Sequence, residues 1–71
     1  MTNNEQEIIT ELGKKLRDFR LQKSFSQEKF AEKTGLDRTY ISGLERGKRN
    51  PSYLIIKRLC DILQITPNEL F

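Results

Sequence analysis

The sequence has no histidine, no tryptophan, one cysteine, one methionine and two prolines in 71 residues. Without histidine, and with a lone thiol, it holds no Cys/His nucleophile pair and no set of ligands at metal-binding spacing. No Gly-rich phosphate loop interrupts it. Catalysis is therefore not expected, and neither a cofactor nor a metal is called for. A single cysteine, Cys60, cannot form an internal disulfide, which removes the stapled secreted scaffolds, and a free thiol suits a reducing cytoplasm. The longest aliphatic run, Leu54-Ile55-Ile56, is far short of the roughly 20 apolar residues of a membrane span. The N-terminal stretch MTNNEQE is polar and lacks the apolar core of a signal peptide. A cytoplasmic chain with no membrane partner is expected.

What is present fits one small domain with a single core. The net charge is +3. Between Arg38 and Arg58 lie six basic residues (Arg38, Arg46, Lys48, Arg49, Lys57, Arg58) and one acid, Glu45; the other acids fall outside that stretch. Such a distribution suits a face that meets a polyanion, although a solvated surface would look the same from charge alone.

Local signals divide the chain into helices. Residues 1–6 are expected to be a flexible tail, and residues 7–71 a single domain. Ile8 or Ile9, Leu12, Leu16 and Phe19 form one apolar stripe of a helix over about 7–22, with Gly13 inside it marking a close helix contact. Phe25 is placed to staple against Phe30 or its neighbour. Ser26 caps a second helix that Gly35 closes in the left-handed conformation. Asp37 caps a third helix with Ile41 and Leu44 on its inward face, and Gly47 ends it. Ser52 caps a fourth helix, whose inward face is Tyr53, Ile56, Leu59, Cys60 and Leu63. Thr66-Pro67-Asn68-Glu69 starts a fifth with a capping box and proline at its first position.

A short helix, a tight turn with glycine and a second helix make a helix-turn-helix pattern over about 26–46. The words Ser26-Gln27-Glu28, Phe30-Ala31, Gly35-Leu36, Tyr40-Ile41-Ser42, Leu44-Glu45-Arg46-Gly47 and Arg49-Asn50-Pro51-Ser52 stand in register. With Leu59, Leu63 and Glu69-Leu70-Phe71, they resemble the Cro/CI-like (Xre-type) helix-turn-helix regulators over roughly residues 12–71. Within that family, DRTYISGLERGKRNP is most similar to the small controller proteins of restriction–modification systems. The resemblance implies an all-α, five-helix, lambda-repressor-like DNA-binding domain. It implies a transcriptional regulator that binds the major groove of double-stranded DNA as a homodimer on a palindromic operator, its own genes among the targets. No small-molecule effector is evident.

Arg38, Thr39, Ser42, Gly43 and Arg46 lie off the Ile41/Leu44 face and are expected to point outward. Arg38 suits a bidentate bond to guanine or, alternatively, a phosphate; Thr39 suits a thymine methyl or a base edge. Gly43 departs from relatives that carry a long polar side chain there. That puts more weight on Arg38, Thr39, Ser42 or DNA shape, and lets the helix sit closer to the groove. From spacing alone, Gln27 is an exposed helix start; the resemblance implies that it bonds a phosphate and braces the recognition helix. Tyr40 has two compatible readings, a ring packed under the second helix or a hydroxyl on a phosphate. Arg46, Lys48, Arg49, Asn50 and Ser52 suit phosphate oxygens, together with the free amides that open the fourth helix. A narrow minor groove is an alternative for Arg49. Glu45 would repel phosphate, so an ion pair with Arg20 is expected. Lys57 and Arg58 read as solvated.

Leu54, Ile55, Ile62, Ile65 and Phe71 are more apolar surface than one small core can hide. They are assigned to a dimer interface within about 53–71, unless the first helix and the tail cover them. A competing reading makes the chain an antitoxin-type interaction module that also binds DNA at its own promoter. Such proteins usually add a toxin-binding segment, for which only residues 1–6 are spare. RNA binding is weaker, because the six aromatics are scattered at core positions and form no stacking platform.

Overall fold

Among the described residues, four α-helices and a 3₁₀ turn carry the chain: α1 Thr2–Gln22, α2 Gln27–Thr34, α3 Arg38–Glu45, α4 Tyr53–Leu63 and the turn Pro67–Glu69. The computed structural model describes residues 2–71. The expected fifth helix is thus a single turn. Its capping box forms as read, with Thr66 N–H donating to Glu69 Oε2 at 2.8 Å, but three residues are too few to propagate an α-helix. The expected loose tail is helical from Thr2 onward. Its helix is tied down by tertiary contact, since the Gln6 side-chain amide donates to the carbonyl of Gly47 at 3.0 Å.

The caps act where the residue types placed them. Ser26 Oγ accepts from Lys29 N–H at 3.0 Å and Ser52 Oγ from Ile55 N–H at 3.2 Å, each satisfying an orphan amide of its first turn. Gly35, at φ 74°, closes α2. Gly47, at φ 72°, follows α3, and the next amide, of Lys48, reaches back to the Gly43 carbonyl at 2.8 Å. Asp37 differs. It occupies the N-cap position in an extended conformation, but its side chain makes no cap bond, and only its carbonyl engages the helix.

The core gathers Leu12 and Leu16 of α1, Phe30 and Ala31 of α2, Ile41 and Leu44 of α3, Ile56, Leu59, Cys60 and Leu63 of α4, and Leu70. Ile9 is half-buried on the α1 stripe, while Ile8 opens to solvent. Phe25 stacks on Phe30 with ring centres 6.2 Å apart, fixing the entry into α2. Tyr53 corrects the expectation for α4. It stands on the helix's apolar stripe but is 66% exposed, because the first turn of α4 extends past the edge of the core. Burial pushes the Cys60 thiol up from its ordinary range, reinforced by the charge of Asp61, so it stays protonated and unreactive. Among the described residues, no helix is long and apolar enough to cross a membrane.

Helix α3 packs against both α1 and α2, and α4 packs against α2. The contact with α1 is close at Gly13, where a Cβ would run into the Leu44 carbonyl and stand 2.9 Å from that of Glu45. The missing side chain is what lets α3 lie on α1.

Candidate nucleic-acid interface

A buried polar knot sets the position of α3. Arg20 Nε and Nη2 donate to the two oxygens of Glu45 at 2.6 and 3.0 Å. Its remaining nitrogen, Nη1, donates to the Phe25 carbonyl at 2.7 Å. Gln27 Nε2 adds a bond to Glu45 Oε1 at 3.0 Å. The Glu45 side chain is 4% exposed, so the pair is desolvated and its geometry is bidentate. It joins the end of α1, the start of α2 and the end of α3. The expected Arg20–Glu45 pair forms, and Gln27 braces α3 through the same carboxylate.

With that frame in place, the start of α3 is open. Arg38 and Thr39 are exposed, and Ser42 is half-buried. Arg38 lines one shallow recess with Gln27, Ser26, Glu28 and Arg20, so the first turns of α2 and α3 share a surface. Tyr40 is half-buried. Its ring packs at the edge of the core, and the Arg49 guanidinium lies over it, 5.5 Å from the ring centre. Arg46, Lys48, Arg49, Asn50 and Ser52 are exposed along the chain that leaves α3 and enters α4. The Ser52 oxygen is engaged as a cap acceptor, which leaves its hydroxyl proton free to donate. Arg58 is not free; it donates to the Thr34 carbonyl at 3.4 Å, at the negative end of α2.

Gly43 is the correction here. Helical periodicity points it outward, whereas it is buried. The cover is the side chain of Arg49, whose Cγ would be 3.0 Å from a Cβ on residue 43. A helix-face projection cannot foresee this, because the cover comes from a loop. Sequence reasoning also missed Gln6 and Thr10. Gln6 bonds the Gly47 carbonyl, and a Cβ on Gly47 would be 2.9 Å from Thr10 Oγ1, so α1 buttresses the turn that carries the basic cluster. The helix-forming run Glu5-Gln6-Glu7, free of glycine and proline, was the available signal.

The apolar surface lies on α4 and beyond it. Leu54 is 77% exposed and Phe71 is 64% exposed, while Ile55, Ile62 and Ile65 are half-buried against the core. Helix α1 does not cover Leu54. Phe71 lines an open cleft with Ile8, Glu7 and Glu11 of α1.

This arrangement has close counterparts. The helix-turn-helix family HTH_3 matches residues 16–70. Control protein C.BamHI of Bacillus amyloliquefaciens is 46% identical over 71 residues, covering 99% of this chain and 84% of that protein. The crystal structure of the restriction-modification controller protein C.AhdI from Aeromonas hydrophila superposes with a TM-score of 0.85 at 46% identity, over 89% of this chain and 96% of that one. The restriction-modification controller protein C.Esp1396I, a tetramer in complex with its natural 35 base-pair operator, superposes with a TM-score of 0.80 at 33% identity, over 90% of this chain and 84% of its own. The helical frame, the open start of α3 and these matches along nearly the whole chain together show that it belongs to the HTH_3 helix-turn-helix family, in the group that contains the restriction–modification controller proteins.

Proposed function

We propose that the chain is a sequence-specific, DNA-binding transcriptional regulator that acts as a homodimer on a palindromic operator and controls restriction–modification genes, including its own. The observation that carries this reading is the open start of α3, where Arg38 and Thr39 are exposed, braced from behind by the Arg20–Glu45–Gln27 knot. A helix held this rigidly can present the side chains of its first turn to base edges without losing order on binding. Arg38 and Thr39, with Ser42, read bases. Gln27, Tyr40, Arg46, Lys48, Arg49, Asn50 and Ser52 hold the backbone in register. Leu54, Ile55, Ile62, Ile65 and Phe71 form the two-fold contact that pairs two such helices. A cytoplasmic location belongs to this reading, supported by the free Cys60 thiol, which suits a reducing compartment.

Arg38→Ala tests the reading at one residue. Against a panel of duplexes that each differ at one base pair of the bound site, the variant is expected to lose about 1–3 kcal/mol of discrimination at a single symmetric position. A uniform loss across the panel would make Arg38 a phosphate contact. The dimer is tested at Leu54, which is exposed enough for a charge to leave the fold intact. Leu54→Asp is expected to sediment as a monomer at concentrations where the parent is a dimer, with unchanged circular dichroism. A dimer that survives the substitution would place the interface elsewhere.

A further inference from the structure

The side chain of Arg49 takes an unusual path for an exposed loop arginine. It leaves the turn after α3 and runs back along that helix. A Cβ on Gly43 would have as its three nearest neighbours Arg49 Cγ, Nε and Cδ, at 3.0, 3.3 and 3.7 Å. The guanidinium then lies over the ring of Tyr40, three residues earlier on the same helix. Among the described residues, Arg49 has no carboxylate partner. It is held by bare backbone under its stem and an aromatic face under its head, and its N–H donors are left unspent.

We propose that Gly43 is a positioning residue, a socket in the recognition helix that seats Arg49 so that a loop side chain works as part of the α3 surface. The inference rests on the DNA-binding reading above. An arginine seated in this way has already given up much of its rotamer freedom, so less is lost when it meets the duplex. Any side chain at residue 43 competes for the same space. Glycine is therefore retained in mid-helix, where alanine would be the better helix former.

That conflict gives the test a readout that a purely structural role would not produce. The probe is the palindromic duplex that the wild-type protein selects from a random pool. Arg49→Ala is expected to weaken binding to that duplex by roughly tenfold. Gly43→Ala is expected to raise Tm by about 4–8 °C through helix propensity, since the flexible Arg49 stem can yield. The same variant is expected to weaken binding by roughly fivefold, and that loss should vanish in the Arg49→Ala background, as for two residues in direct contact. If Gly43→Ala binds like the wild type, or its loss persists when Arg49 is already alanine, Gly43 does not act through Arg49 and the socket is wrong. If Arg49→Ala binds normally, there is nothing to seat; the socket falls while the DNA-binding reading stands. If the wild-type protein selects no duplex, the DNA-binding reading fails and takes the socket with it.

Discussion

Glu45→Ala is expected to destabilise the fold by about 3–5 kcal/mol in urea denaturation, because it strands a buried guanidinium. Arg20 is 6% exposed, and Glu45 takes two of its bonds. Truncation leaves only the Phe25 carbonyl as partner and also removes the acceptor of Gln27. A chain of this size has a total stability of roughly 4–11 kcal/mol, so the variant should lose a large fraction of it. The loss comes from leaving one charge unpaired, more than from any large net gain in making the pair. Replacing both partners, as in Arg20→Met with Glu45→Leu, should therefore recover most of the stability. That double variant should nonetheless bind DNA poorly, since Gln27 and α3 lose their common brace. A single-variant loss below about 1 kcal/mol would mean that water screens the pair, as at an exposed salt bridge.

Gly13→Ala is expected to cost about 2–3 kcal/mol, against the roughly 1 kcal/mol that the same change usually gains in a helix interior. The obstruction is backbone: the added methyl meets the carbonyls of Leu44 and Glu45, which cannot rotate away as a side chain can. Relief requires α1 and α3 to move apart, which loosens the contact around Leu12, Leu16 and Leu44. Thermal unfolding checks this directly. Gly13→Ala should lower Tm while Gly43→Ala raises it, although both put a methyl on a buried helical glycine. If Gly13→Ala is neutral, α1 and α3 are not in the close contact described.

The features that sequence reasoning recovered are those decided locally. Ser26, Ser52, Gly35 and Thr66 act through atoms three to four residues away, so residue type and spacing were sufficient. The Phe25–Phe30 staple and the tight contact at Gly13 were legible for the same reason, a local anomaly with a single physical remedy. The Arg20–Glu45 pair is legible because Glu45 is the one acid in a basic stretch and needs a cation of its own. What failed depended on the path of distant chain. Residues 2–6 carry no apolar stripe, and their helix is fixed by the bond from Gln6 to Gly47, 41 positions away. Tyr53 follows the periodicity of α4, but periodicity does not say where the core stops. Gly43 was placed on the correct face of α3, yet its burial is the work of a loop side chain that no helical projection includes. Asp37 has the right residue type in the right place, and its side chain still leaves the helix amides uncapped.

The central claim is that two copies of this chain read a palindrome through the first turn of α3. The most direct measurement is selection of bound duplexes from a random pool, followed by the salt dependence of binding to the recovered sites. The account predicts a palindrome with half-sites about one helical turn apart, roughly 34 Å, bound far more tightly than random DNA. It also predicts affinity that falls steeply and linearly in log salt, as the basic residues of both subunits displace counterions. Recovered sequences bound no tighter than random duplex would contradict it, and would reduce the basic face to a non-specific electrostatic surface.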